Sequence, residues 1–238
     1  MKIEGCVALV TGANRGLGKA LVDALLEAGA ARVWATARDV GSIAAADVRV
    51  APIELDTTNP ASVARAAEVA SDVTLLVNNA GLATSWNVLT MDGAAFENDF
   101  RTNVQGTLRV IRAFVPVLER AARGGAIVNV LSLLSLASFP ALGGYAASKA
   151  AAYSITQALR PELRKRSIAV FAALPGPIDT DMVRDLKMPK TSAADVARGV
   201  LAGVEREEEE IFPDPMAREM GALWNRSPKD YERAFASF

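Results

Sequence analysis

The feature that most narrows the fold lies at the start of the chain. A short apolar run, Val7-Ala8-Leu9-Val10, leads without a spacer into Thr11-Gly12-Ala13-Asn14-Arg15-Gly16-Leu17-Gly18. Residues 18–29 then set apolar side chains at helical spacing and stop at Gly29. An uninterrupted apolar run suits a strand covered on both faces. A glycine turn that passes straight into a helix leaves the first amides of that helix without intrahelical partners, and such amides suit the pyrophosphate of a dinucleotide. In that reading Gly12 allows a tight turn, Gly16 lets the backbone approach phosphate, and Gly18 lets the helix lie close to the sheet. Three residues separate the first two glycines, so this is not the ordinary GxGxxG. A merely structural turn is the alternative, and the position between strand and helix weighs against it.

The rest of the chain repeats the alternation. Strands are expected at Ala31–Ala37, Val48–Leu55, Val73–Val77, Gly125–Leu131 and Ile168–Leu174, with a short last one at Glu210-Ile211-Phe212. Helices are expected at Pro60–Ala70, across much of Ala94–Ala122 with an interruption at Pro116, from Tyr145 toward Arg166 with a bend at Pro161, and at Ala193–Gly203. A tail from Met216 to Phe238 reads as two small helices separated near Ser227-Pro228. Alternation of this kind predicts an α/β fold, a Rossmann-like doubly wound parallel sheet with helices on both faces, formed as one domain over residues 1–238. Right-handed crossovers bring the loops that follow the strands to one edge. Gly12–Gly18, Asn78–Gly81, Ser132 and Pro175–Thr180 should therefore converge.

Composition removes several function classes. The 238 residues are 51% hydrophobic and 22% charged, enough for a substantial core without disulfides. A formal net charge of -1 gives no basic field for nucleic acid. No apolar span reaches membrane length and no leader-like segment opens the chain, so no membrane partner is expected and the cytoplasm is the default location. There is no histidine, which excludes His-based triads and imidazole zinc sites, and no metal site is expected. The single Cys6 reads as a core thiol.

At the cofactor end, the second expected strand finishes Thr36-Ala37-Arg38-Asp39, where many NAD sites carry an acid for the ribose hydroxyls. Arg38 and Arg15 could instead hold a 2'-phosphate, which favours NADP(H); Asp39 would offset part of that field. Asp56 either accepts a hydrogen bond from the adenine amino group or caps the nearby helix. Asn78-Asn79-Ala80-Gly81 reads as a turn beside the cofactor whose Asn side chains tie loop backbones together.

At the reacting end, Tyr145 and Lys149 stand four residues apart, so a helix sets both on one face. A tyrosine hydroxyl is too weak an acid to ionise near neutral pH, and an ammonium beside it lowers its pKa. Lys149 would thus prepare Tyr145 to protonate a carbonyl oxygen or to accept a proton from an alcohol, while Ser132 holds the same oxygen. Trp86, Leu142 and Gly143 are candidates for the substrate pocket. A Tyr-x-x-x-Lys pair alone is common in helices; Ser132 at a strand end and the upstream glycine turn make it specific.

Together these motifs resemble the short-chain dehydrogenase/reductase family over nearly the whole chain to about Phe212, and within it NADP(H)-preferring carbonyl reductases. The resemblance implies a catalytic tetrad of Asn103, Ser132, Tyr145 and Lys149. It implies cofactor contacts from Gly12, Asn14, Arg15, Gly16, Leu17, Gly18, Arg38, Asp56, Asn79, Ala80, Gly81, Tyr145, Lys149, Pro175, Gly176, Ile178 and Thr180. Asn103, which alone would read as a polar residue within a helix, corresponds to an asparagine that holds a helix distortion and a water. The implied activity is NADPH-dependent reversible reduction of an aldehyde or ketone. NAD-dependent alcohol oxidation, or a non-catalytic nucleotide sensor, is the alternative. A homodimer built on the helices near Phe96–Leu118 and after Tyr145 is expected, with a homotetramer as the alternative. Two departures stand out. The substrate loop, about 177–192, is short, which predicts an open pocket and broad carbonyl specificity. The helical tail, about 215–238, replaces the usual glycine-rich finish.

Overall fold

The structure is a computed structural model that describes residues 1–122, 124–184 and 187–236. The strands are β1 (Val7–Val10), β2 (Arg32–Ala37), β3 (Val50–Glu54), β4 (Leu75–Asn78), β5 (Gly125–Val130), β6 (Ile168–Ala173), the short pair β7 (Ile178–Asp179) and β8 (Thr191–Ser192), and β9 (Glu210–Ile211). The main helices are α1 (Gly16–Glu27), α2 (Pro60–Val69), α3 (Gly93–Phe100), α4 (Thr107–Leu118), α5 (Gly143–Arg164), α6 (Ala193–Glu205), α7 (Pro215–Arg226) and α8 (Pro228–Ala236). Seven strands form one sheet in the order β3-β2-β1-β4-β5-β6-β9, and every pairing is parallel. The strand order reverses between β1 and β4, and a crevice opens where the outgoing loops part in opposite directions.

Both faces of the sheet are covered. Leu21 and Leu25 of α1 join Val196, Val200 and Val204 of α6 over one face. On the other, Val63 of α2, Ile111 and Phe114 of α4 and Leu163 of α5 pack against Leu9, Leu76 and Ile127. This two-sided burial is why the central strands read as continuous apolar runs.

Several expected features change. Val48 lies outside β3 and is fully exposed, because the strand begins only where pairing with β2 begins at Val50. The long helix is interrupted not at Pro116 but earlier, by a π-helical segment, Arg101–Gly106, between α3 and α4. Pro116 sits inside α4, two residues from its end, and the helix runs through it at the loss of the one bond its own N–H would have donated. Helix α5 likewise runs through Pro161 to Arg164.

The tail is bound tightly to the sheet edge. Tyr231 of α8 is fully buried, and its hydroxyl donates to the Leu133 carbonyl at 2.7 Å. Its ring meets Trp224 edge-on at 5.4 Å and Phe235 at 4.9 Å. The buried Asp214 carboxylate caps α7 by accepting from the Ala217 amide and also accepts from the Gly176 amide at 2.8 Å. Tyr231→Phe keeps the packing and removes one of two donors to the Leu133 carbonyl, which still accepts from the Leu136 amide. It should lower unfolding stability by about 0.5–1.5 kcal/mol, read as an earlier urea midpoint; an unchanged midpoint would mean that this hydrogen bond does not hold the tail.

Candidate active site

The glycine turn joins β1 to α1 at the crevice. Gly12 and Gly16 both have positive φ, 65° and 54°, which an L side chain resists. A Cβ on Gly18 would stand 2.0 Å from the Gly12 carbonyl oxygen, so the first turn of α1 can close on the turn only with glycine there. The turn is tied to the loop after β4: the Thr11 hydroxyl oxygen accepts the Asn79 and Ala80 amides at 2.9 Å, and the Asn79 side chain donates to the Thr11 and Gly12 carbonyls. Helices α2, α3, α6 and α7 have side-chain caps, whereas α1 has none. Its first amides are thus left for an anion, and the cradle fits the pyrophosphate of a dinucleotide.

One cavity of about 760 Å³ runs from this turn to the reacting end. Its lining includes every expected cofactor residue: Gly12, Asn14, Arg15, Gly16, Leu17, Gly18, Arg38, Asp56, Asn79, Ala80, Gly81, Tyr145, Lys149, Pro175, Gly176, Ile178 and Thr180. Ser132 lines it too, whereas Asn103 lies behind its wall. The Asp56 carboxyl is held below its ordinary value: burial pushes it up, but hydrogen bonds from the Thr58 hydroxyl and amide outweigh this, with Arg38 and then Arg101 adding to them. Those bonds occupy one carboxylate oxygen of Asp56, so it shapes its own loop while facing the cavity. Asp39, expected to weaken the positive field, turns its carboxylate onto the Gly41 amide. Arg15 lies 3.5 Å from Asp181, with both side chains largely exposed.

At the other end, Ser132 follows β5, and its hydroxyl oxygen accepts from the Leu134 amide, which leaves its proton free to donate. Lys149 is buried, and its ammonium donates to the Val130 carbonyl at 2.9 Å and lies 5.7 Å from the centre of the Tyr145 ring. Asn103 sits in the π-helical segment. Its carbonyl oxygen accepts from the Leu82 amide, and its amino group donates to the Leu82 carbonyl and to Ser148. Ser148 in turn donates to the Tyr145 carbonyl. The extra residue of a π turn is what carries the Asn103 amide into this position between the loop after β4 and α5.

The charge balance departs from the expectation that Lys149 would lower the tyrosine pKa. Tyr145 is pushed above its ordinary value, first by burial and then by the Asp99 carboxylate; the nearby Ser132 hydroxyl pulls the other way. Lys149 is pushed down to about 8 by burial, and Asp99 opposes that shift. Desolvation outweighs the pair's mutual effect because both groups leave water together. Asp99 had no signal in the sequence. It is fully buried, and its two oxygens accept from the amides and hydroxyls of Thr84 and Ser85 at 2.6–3.1 Å. The loop it grips then takes the first amides of α5: Gly144 donates to the Trp86 carbonyl and Tyr145 to the Ser85 carbonyl.

The two tail helices are expected from the sequence, but their place in the site is not. Met216, Glu219, Met220 and Phe235 line the cavity on its substrate side, together with Phe139 and Met182. The pocket expected to be open is therefore walled by α7 and α8. Trp86 and Leu142 line it, but Gly143 does not: a Cβ there would press on Val88 at 2.6 Å, so Gly143 serves the packing of that loop. Within the short loop 177–192, Met182 and Met188 reach the cavity, and Leu186 lies outside the described residues.

With this geometry in place, comparison with known proteins decides the family. The sequence model of the short chain dehydrogenases matches residues 6–190. The chain belongs to the short chain dehydrogenase family. It is similar to a short chain dehydrogenase of Burkholderia cenocepacia, crystallised in complex with NADP, at 42% identity and a TM-score of 0.93 over 99% of each chain. It is also similar to the 3-oxoacyl-(acyl-carrier-protein) reductase FabG of Vibrio cholerae, 32% identical over 200 residues that cover 81% of this chain and 82% of that protein. A sorbitol dehydrogenase of Cereibacter sphaeroides is 32% identical over 192 residues, covering 75% of this chain and 73% of that protein. The family match stops before α6, so the tail that walls this dehydrogenase's pocket lies beyond it.

Because Asp99 raises both neighbours, its removal has a definite sign. In Asp99→Asn, Tyr145 and Lys149 should each titrate at lower pH than in the wild type, where Lys149 loses its proton near pH 8. NMR titration of labelled tyrosine and lysine reads this directly, and midpoints that stay in place would mean that the carboxylate does not reach them.

Proposed function

We propose that this short chain dehydrogenase reduces an aldehyde or ketone to an alcohol with NADPH, reversibly. The observation that carries the reading is the single cavity joining the uncapped α1 N-terminus and Arg38 to Ser132 and Tyr145. The similarity to a relative crystallised with NADP supports the choice of cofactor. Gly12, Asn14, Gly16, Leu17 and Gly18 would hold the pyrophosphate, with Arg15 and Arg38 on the 2'-phosphate and Asp56 beside the adenine. Asn79, Ala80, Gly81, Pro175, Gly176, Ile178 and Thr180 would frame the nicotinamide half. When bound, the cofactor supplies a hydride for the carbonyl carbon.

The chain's own residues do the rest. Ser132 donates a hydrogen bond to the carbonyl oxygen and stabilises charge as it builds there. Tyr145, kept protonated across the neutral range by burial, delivers the proton to that oxygen. Lys149, protonated below about pH 8, places a positive charge beside the phenolate left by that transfer. Asn103 holds the loop after β4 and, through Ser148, the first turn of α5, so that Tyr145 and Ser132 face one oxygen. We further assign the enzyme to the cytoplasm, where Cys6 stays reduced, and to a homodimer in preference to a tetramer, formed by the helices over Phe96–Leu118 (α3 and α4) and by α5.

Tyr145→Phe should lower turnover by about 10²–10⁴-fold while NADPH binding persists. Arg38→Ala should weaken NADPH by about 1–3 kcal/mol and leave NADH nearly unchanged. Steady-state rates on a carbonyl panel and cofactor titrations test both; near-normal turnover by folded Tyr145→Phe would refute the assignment. Sedimentation across a concentration series should give twice the chain mass, and a persistent monomer at micromolar concentration would reject the dimer.

A further inference from the structure

The tail supplies the chemistry of the substrate end. Its approach to the reacting atoms is set by two hydrogen bonds, from Tyr231 to the carbonyl of Leu133, next to catalytic Ser132, and from the Gly176 amide to Asp214. These bonds hold α7 and α8 against the very segments that carry the reaction. The side chains they bring to the cavity are Met216, Met220 and Phe235, and Trp86 and Met182 line it too. Trp86 and Met182 are each about half exposed (47%), so apolar lining also reaches the solvent-facing part of the cavity. Thioether side chains adapt to ligand shape, and four of them in the lining, Met182, Met188, Met216 and Met220, favour a site tolerant of outline.

Charge is distributed unevenly along the cavity. Among the described lining residues, each arginine belongs to the cofactor end: Arg15 in the glycine turn, with Arg38 and Arg101 beside Asp56. The tail contributes one ionisable side chain to the lining, and it is the acidic Glu219. A carboxylate or phosphate entering there would lose water, find no arginine to receive it and meet a like charge. Resting on the reading of carbonyl reduction, we propose that α7 and α8 form the substrate-selecting wall, and that the substrate is an uncharged, predominantly apolar ketone or aldehyde, anionic carbonyl compounds being disfavoured by Glu219 and by the lack of an arginine among the described lining residues that the tail brings.

A matched pair tests the proposal: 4-propionylbenzoate and its methyl ester, which share the reacting ketone and differ in charge. With the full chain and NADPH, kcat/KM for the ester should exceed that for the acid by about tenfold or more. Glu219→Gln should narrow that gap by raising the acid. Met220→Trp, which fills the pocket, should cut kcat/KM for the ester about tenfold with NADPH affinity unchanged; Met220→Ala should raise KM for the ester without adding bulk. Equal use of acid and ester, or a preference that both the Glu219 and the Met220 variants leave untouched, overturns the proposal. Calorimetric titration of the ester into the protein with NADP+ separates the two readings. Binding that Met220→Trp abolishes, with no turnover of either ketone, upholds the apolar wall and removes carbonyl reduction; no binding of the ester overturns the wall itself.

Discussion

Parallel strands that end along one edge leave backbone groups there without ladder partners, and the reacting end of this molecule is organised around satisfying them. Beyond β1, the Thr11 and Gly12 carbonyls are taken by Asn79. Beyond β4, the Leu82 amide and carbonyl are both taken by Asn103. At the end of β5, the Val130 carbonyl is taken by Lys149 and the Leu133 carbonyl by Tyr231. Past β6, the Gly176 amide is taken by Asp214. Each of these side chains comes from a segment distant in sequence. The hydrogen bonds that close the sheet edge are therefore the same ones that set the distances within the site.

This arrangement couples stability to chemistry. Lys149 is held by a backbone carbonyl in a buried setting, which fixes its ammonium near the Tyr145 ring and also drives its pKa down. Asp99 offsets part of that cost for the ammonium while opposing ionisation of the phenol. A buried carboxylate requires several donors, and the amides and hydroxyls of Thr84 and Ser85 provide them. The loop so held then receives the start of α5, and Gly144 has no room for a side chain against Ser85 and Met91. Charge, loop and helix are thus one unit.

The tail extends the same principle to selectivity. In a chain whose segment between β6 and α6 is short, the two last helices cover the pocket instead, bound through Tyr231 and Asp214 to the strand ends that carry the reaction. Selection by a wall of thioether and aromatic groups depends on excluded charge more than on shape.

The sequence by itself determined the α/β alternation, because strand and helix periods are local properties of residue order. It also determined the glycine turn, where Gly12 and Gly16 need positive φ and Gly18 has no room for a Cβ, and it put Tyr145 and Lys149 on one helical face through their spacing. What it could not express depends on groups far apart in the chain. The π-helical segment at Asn103 exists because Leu82 and Ser148 are there to take its amide. Asp99 reads in sequence as one more helical acid, and only burial against Thr84 and Ser85 makes it a controlling charge. The pKa of Tyr145 rises where local reasoning had it fall, since desolvation belongs to the packed assembly and not to the pair. Tertiary structure alone decided that the tail closes the pocket: helical spacing marks an apolar face but not what that face will cover, and the Tyr231 hydroxyl finds its partner 98 residues away.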